Sequence, residues 1–570
     1  MTDLRRRALV LLALFLGTVA VLGSCASIPH SGPVGSIAPD GQNEESNTYT
    51  FDAIGPRAGA SPQEVIEGFY QAGIAAQDDF KVAREFLTPE AAGTWKGSVS
   101  TRVYDAAPSV VTGSKTGDYS IQFEMLSTVD EHGVMTRQPA NTSQALPLSL
   151  LKVDNEWRIS RVPDGTLLEQ SNFSVQFSAH SIYFYDPGFH YAVPDIRWFP
   201  KRAGLPASMV EAILAGPAPY LKNAVVSAFS EGSSLVRSSV PVESNKAVVD
   251  LTPLSFSDAS DTTRHLMQQQ LELTLTQVGA VRDVVMTEDQ REVKLGVPGA
   301  GFVPAEINPS VPDTQIAISN NMLVYYQGNS VVPVGGVQDI SAYGPIYPAM
   351  SPSGNRYAFL NASRSKLVAV NDKGNAQVVA TGTDLVPPSL DASGWTWTVD
   401  HGAPTQVLAV PADIAKDGRV RPIAAEWLKD SHVSSLRVSR DGTRAVIVAK
   451  HGDTVSVNIS GILRDSEGFP RGFAKPMRLY PSVPVSRAVW DSDSSVIVMQ
   501  ADADAPVTAE RITLSGGSKE FLPLLGMTGL SAGAGERRWV YAETPDGIYS
   551  RTGNTWHEQD GKARYLSYPG

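Results

Sequence analysis

Hydrophobic and polar positions change their period several times along this chain, and each change predicts a different kind of element. Residues 8–22 form an apolar stretch behind Arg5, Arg6 and Arg7. It is too short for a comfortable membrane span and has the length of a secretory h-region. Residues 26–50 show no period and are rich in Pro, Gly, Ser and Asn, which predicts a flexible tether. Helical spacing then begins. Ser61, Pro62 and Glu64 make a capping box, and Val65, Ile66, Phe69, Tyr70 and Ile74 follow on one face. Val82, Phe86 and Leu87 predict a second short helix, and Thr88-Pro89 the start of a third. Strand-like runs follow in "YSIQFEMLSTV", "ALPLSLLKV" and "EWRISRV", where Trp157 is expected to pack inward from the sheet.

A mixed stretch comes next. "SVQFSAHSIYFYDP" and "YAVPDIRWFPKR" predict two strands joined by a turn at Asp186-Pro187-Gly188. "PASMVEAILAGPAPYL" predicts a helix from Pro206 that stops at Gly216-Pro217. "KAVVDLTPL" reads as a strand. "SDTTRHLMQQQLELTLTQV" reads as a helix with Leu266 and Leu273 facing inward, and "VRDVVMT" and "REVKLG" close with strands. From about 310 a repeat takes over. A polar Gly/Asp/Ser turn followed by an apolar strand recurs at Ser351, Asp391, Ser439, Asp491 and Ser531, in steps of 40, 48, 52 and 40 residues. That period suits β-propeller blades. With a further unit near "TQIAISNNMLVYYQG", five or six blades are expected; a pair of β-sandwiches is the rival arrangement. The fold class is therefore multidomain. Its expected parts are a leader at 1–24, a tether at 25–50, an α+β domain at 51–172, an α/β domain at 173–300 and an all-β propeller at 310–570.

Cysteine usage sharpens the picture. The chain holds one Cys in 570 residues, Cys25, directly after the apolar run. The order Leu22-Gly23-Ser24-Cys25 resembles a bacterial lipobox, which implies cleavage between Ser24 and Cys25 and attachment of acyl chains to Cys25. A thiolate is a good nucleophile for that alkylation, and two acyl chains suffice for stable anchoring. With one Cys, no disulfide forms within the chain, so the fold rests on apolar packing. Such cleavage would take the net charge from −12 to −14 by removing three Arg and one Asp. An acidic protein of this kind is a poor partner for nucleic acid.

Candidate catalytic chemistry is sparse. Gly529, Ser531 and Gly533 match the GxSxG pattern of serine hydrolases, but a strand-like run follows where a nucleophile elbow needs a helix. The acidic runs at Asp491 and Asp502 lack the Gly and Glu spacing of a calcium loop. The nine His are scattered and make no HExxH pair, and no Walker A or GxGxxG run is present. Neither a catalytic residue set, a metal nor a cofactor is called for. Trp395, Trp397, Trp490 and Trp539 are candidates for an aromatic surface in a propeller mouth, although packing between blades is the more ordinary use of such positions.

Several stretches resemble known modules. Helices followed by a curved antiparallel sheet over 51–172 resemble the NTF2-like class, here read as a scaffold. "AILAGPAP", "AVVDLT" and the Gln/Leu helix over 173–300 resemble the GerMN domain, an extracytoplasmic module. Taken in order, "LGSCASIPHSGPV", "SPQEVIEGFYQAG", "REFLTPEAAGTW", "AILAGPAPYL" and "SPSGNRYAFL" resemble the actinobacterial lipoprotein LpqB family. That resemblance implies N-palmitoyl and S-diacylglycerol groups on Cys25 and a place on the extracytoplasmic face of the cell membrane. It also implies a non-enzymatic role: contact with the extracytoplasmic domain of an MtrB-type sensor histidine kinase, influencing cell division and envelope homeostasis. The alternatives are a module that binds cell wall or glycan and, third, an extracellular hydrolase using Ser531.

Overall fold

The computed structural model describes residues 53–570 apart from 76–77, 140, 403–405, 412–419, 502–505 and 534–538. The leader, the tether and Cys25 therefore lie outside the described residues. The first helix, Pro62–Ala72, starts as the pattern demands: Ser61 Oγ accepts the Glu64 N–H and the Glu64 carboxylate accepts the Ser61 N–H. Thr88 caps Pro89–Thr94 in the same manner through the Ala91 N–H. Val65, Ile66 and Phe69 meet Trp95, Ile121, Phe123, Leu148 and Ile159 in one core. The sheet beneath runs in the order Glu156–Arg161, Ser143–Val153, Asp118–Asp130, Ser100–Tyr104, Thr166–Glu169. It is antiparallel except for its last pair, which is parallel. Trp157 packs half-buried against this core, with the Lys152 ammonium over its ring.

A short helix, Gln170–Gln176, carries the chain onward. Ser174, Val175 and Gln176 thus close a helix where the alternation predicted strand; the strand begins at Phe177 and pairs antiparallel with Tyr191–Pro200. The next helix, Leu205–Ala215, stops at Gly216, and Ser260 caps Asp261–Leu275. Leu266 is buried on this second helix and Leu273 is half-buried. Gln270, fully buried, accepts the Ala228 N–H and donates to the Tyr183 carbonyl, so one side chain joins helix, loop and strand. Lys246–Leu251 and Asp283–Glu288 run parallel beside it. This is an α/β block with its own apolar centre.

Beside a separate two-stranded pair, Pro506–Val507 with Leu524–Leu525, five four-stranded sheets and one five-stranded sheet follow among the described residues. Their inner strands are Arg564–Ser567, Ile346–Met350, Ser389–Leu390, His432–Val438, Val485–Ser492 and Gly529–Ala532, and each packs against the next around a ring. The last strand of the chain, Arg564–Ser567, pairs with Gln315–Ser319, so both ends of the repeat share the first sheet. This ring arrangement, and not a pair of sandwiches, is what the 40–52-residue period encodes.

The α/β block and the ring share apolar packing. Met209, Leu221 and Leu271 belong to the same buried cluster as Val446, Val457, Ile459, Trp490 and Val498. Gly461 makes this possible: its N–H donates to the Tyr220 carbonyl, and a Cβ there would sit 2.5 Å from that of Ala224. At the other junction Arg197, fully buried, pairs with Asp195 at 2.7 Å and donates to the carbonyls of His132 and Gly216.

Candidate functional site

The repeat signature places a Ser or Asp at the end of successive inner strands, and all five of these side chains are buried. Each spends its oxygen atoms on local structure. Ser351 Oγ accepts the Arg356 N–H, and Ser439 Oγ accepts the Arg444 N–H. Asp391 accepts the Trp395 N–H and the Trp397 indole N–H, and pairs with Arg464 at 2.6 Å. Asp491 pairs with Arg511 at 2.8 Å. Ser531 lies within the strand Gly529–Ala532, and its Oγ accepts the Tyr568 N–H at 3.1 Å. The serine of the GxSxG match thus sits in an inner strand, its oxygen directed to the residue that follows the closing strand.

Just beyond these turns Arg440 reaches across the ring. Its guanidinium donates to the carbonyls of Trp490, Asp491, Ala532 and Pro569, which belong to or follow three other inner strands. The axis is therefore stoppered at the end where the repeat turns lie. The α/β block packs on that same end: Asp186 and His190 line a cleft of about 410 Å³ with Trp395, Asp441 and Arg464. Three charged groups of this cleft are already engaged. Asp186 accepts the N–H groups of Gly188, His190 and Tyr191, Asp441 pairs with Arg444, and Arg464 with Asp391.

The opposite end of the ring opens as a funnel of about 1100 Å³. Arg437 lies three residues before Arg440 on the same segment and contributes to its inner wall; Arg487, Tyr347, Tyr565, Glu543 and Arg564 also line it. Four inner strands carry a register shift at this level: at Ile346/Ala349, Val433/Ser435, Val485/Arg487 and opposite Ile316/Ile318. A bulge re-aims side chains, and bulges gather beside sites. Here they turn Tyr347 and Tyr565 into left-handed backbone, φ 50° and 59°, a conformation that costs a bulky residue on the order of 1–3 kcal/mol. The two rings meet at 4.6 Å between centroids, and the Arg487 guanidinium lies 5.5 Å from the centre of Tyr347.

The electrostatics of the funnel differ from those of the turns. Arg437 donates to the Pro388 carbonyl at 2.7 Å, and among the described residues neither Arg437 nor Arg487 has a carboxylate within 4.0 Å. Burial, reinforced by the neighbouring Arg487 charge, pulls the Arg437 guanidinium down to about 10. Glu543 is committed: its carboxylate accepts the N–H groups of Tyr565 and Leu566, both at 2.6 Å. Burial raises this carboxyl above its ordinary range, against those two bonds.

The residues singled out from the sequence fall elsewhere. Trp395, Trp397 and Trp490 are buried within the blade packing, Trp397 completely, and Trp539 is half-buried against Tyr541. None of the four lines the funnel. Cys25 and His30 lie outside the described residues, as does Asp502. Among the described residues no group of three or more His, Cys, Asp or Glu is gathered to hold a metal. In the first block a cavity of about 20 Å³ lies beside Phe69, Trp95 and Arg102, room for a single water.

Comparison with known families follows the three blocks. The family model described as "Lipoprotein LpqB, N-terminal domain" matches residues 55–174, "Sporulation and spore germination" matches 181–294, and "Lipoprotein LpqB beta-propeller domain" matches 321–568. The chain belongs to the lipoprotein LpqB family. It is 26% identical to Lipoprotein LpqB of Cutibacterium acnes, over 91% of both chains. Identity is 25% to that of Mycobacterium tuberculosis, over 94% of this chain and 93% of the relative. With that of Streptomyces avermitilis it is 23%, over 99% of each. Among solved structures, TolB from Acinetobacter baumannii aligns over 59% of this chain and 98% of its own, with 11% identity and a TM-score of 0.32. The tandem GerMN domains of the sporulation protein GerM from Bacillus subtilis align over 29% and 64%, with 16% identity and a TM-score of 0.19. No helix among the described residues is long and apolar enough to cross a membrane.

Proposed function

We propose that this chain is a lipid-anchored extracytoplasmic protein that binds an MtrB-type sensor histidine kinase and adjusts its signalling for cell division and envelope homeostasis. The observation that supports this reading is the ordered set of LpqB-family blocks behind an apolar leader and a lone Cys25. In this reading the leader is cut between Ser24 and Cys25, and Cys25 carries S-diacylglycerol and N-palmitoyl groups in the outer face of the cytoplasmic membrane. The residues 26–50 act as a tether. Confinement to one membrane raises the effective concentration toward the kinase, so a weak contact suffices. The protein works by touching its partner and not by catalysis: the hydroxyls and carboxylates of the repeat turns are consumed by backbone and Arg partners.

Regulation requires unequal binding to two states of the kinase sensor domain, because equal binding shifts nothing. Autophosphorylation of the kinase in proteoliposomes should therefore change when the lipoprotein is added to saturation. An unchanged rate would overturn a direct effect. Anchoring has its own check: Cys25→Ala should move the protein from the detergent phase to the aqueous phase on phase partitioning. A second reading, binding to cell-wall or glycan material, draws support from the open funnel. It predicts co-sedimentation with purified cell wall.

A further inference from the structure

Most buried Arg residues in the propeller are neutralised locally. Arg444 meets Asp441, Arg464 meets Asp391, and Arg511 meets Asp491. Arg437 and Arg487 break this habit at the one place where the ring is open. Two guanidiniums that repel one another, drawn from adjacent inner strands and making no ion pair within 4.0 Å among the described residues, face a cavity of about 1100 Å³; the carboxyl that feels Arg487, Glu543, is already held by two backbone N–H groups. Both side chains are half-buried, and a like-charged pair withdrawn from water in part is eased by an anion that another molecule supplies. A volume at the upper end of small-molecule sites leaves room for that group and for a body attached to it.

The surroundings narrow the chemistry. Tyr347 and Tyr565 offer apolar ring surface beside Arg487, held there by strained backbone and bulged strands. Strain of this kind persists where surrounding structure enforces it, and it concentrates at ligand sites. Further acidic side chains, Asp546, Glu558 and Asp560, also line the funnel. With Lys562 and Arg564 also in the wall, four cations face four carboxylates, a balance that suits a singly charged group whose body carries hydroxyl, amide or ammonium donors better than a dianion such as phosphate. A planar guanidinium also matches a carboxylate through two parallel hydrogen bonds.

We propose that the propeller funnel binds a carboxylate-bearing small molecule, its anionic group taken by Arg437 and Arg487 and its body laid against Tyr347 and Tyr565. The inference rests on the funnel and not on the kinase reading, so either can fail alone. Two sources share this chemistry, sugar acids and peptides with a free carboxyl end.

Calorimetric titration of the full-length protein in detergent tests it, with glucuronate, D-alanyl-D-alanine, methyl glucoside and inorganic phosphate as probes. At least one of the two carboxylates should bind at millimolar concentration or tighter, with methyl glucoside and phosphate weaker. Which carboxylate binds identifies the source. Arg487→Gln and Arg437→Gln should each weaken binding by about tenfold or more, as loss of a charged hydrogen-bond partner does. Arg487→Lys, which keeps the charge without the fork, should fall between. If Arg437→Gln does not fold, Arg487→Gln carries the test, because that side chain makes no ion pair to lose. Binding of neither carboxylate, phosphate binding more tightly than both, or affinity untouched by Arg487→Gln would each overturn the proposal.

Discussion

Asp441 shows how single side chains hold this ring. Burial alone would raise its carboxyl, but the Arg444 guanidinium and the hydroxyls of Thr443 and Ser439 outweigh it and hold the carboxyl below its ordinary range. A carboxyl lowered on folding contributes stability that is fully present above its unfolded value of about 3.9 and is lost as pH falls through the lower, folded value. Acid unfolding monitored by tryptophan fluorescence should therefore be shallower in Asp441→Asn than in the wild type below about pH 4. At neutral pH the same substitution leaves Arg444 buried without its partner. It should cost about 3–5 kcal/mol, read as a shift in the denaturation midpoint. Arg437 and Arg487 of the funnel sit at the opposite extreme, with charge kept in place and no carboxylate within 4.0 Å among the described residues. The sequence carries a trace of this: Arg437 and Arg487 interrupt apolar inner strands shortly before a repeat turn. Alternation alone could not show that these two arginines lack an Asp partner: Asp441 is a near neighbour of Arg444, but the partners of Arg464 and Arg511 lie far off in the chain, at Asp391 and Asp491.

At the scale of the element, the repeat turn is the unit that specifies the blade. In three of the sheets its glycine is left-handed: Gly354, Gly394 and Gly442, with φ of 73°, 86° and 73°. Each of these N–H groups donates to the carbonyl three residues earlier, at Ser351, Asp391 and Ser439. A Cβ on Gly442 would meet nothing closer than 3.7 Å, so only the backbone conformation opposes a side chain. Gly442→Ala should therefore cost about 1–2 kcal/mol, and Gly442→Asn less, because Asn tolerates this region; paired denaturant melts decide it. Local rules of this type made much of the fold legible. Capping boxes, the Gly216 stop and the polar turns all act within a few residues, and the corresponding elements lie where the pattern put them. The segment Ser174–Gln176 misled because its alternation is also that of a short helix burying Phe173. The bulges that shape the funnel left no local sign, since each arises from pairing with a strand whose register the pattern does not state.

For the whole molecule, the decisive fact is that the α/β block closes the stoppered end of the ring and leaves the other end open. Their shared apolar cluster predicts that they unfold together. The ring itself depends on its last strand: Arg564–Ser567 lies between Gln315–Ser319 and the neighbouring inner strands, and Glu543 grips it through two amides. Deleting residues 563–570 should abolish the cooperative melt and the near-ultraviolet signal of the buried Trp397 and Trp490, whereas removing a similar length from the chain's start should not. Loss of neither would contradict ring closure by this strand.

That clasp also sets a timetable. The first sheet of the ring cannot be completed until every other sheet of the ring has been synthesised, because its partner strand Arg564–Ser567 follows them all in the chain. Long-range pairing of this sort is slow, and until that strand emerges the nascent ring stays an open arc whose exposed edges must be kept from pairing with the wrong neighbour.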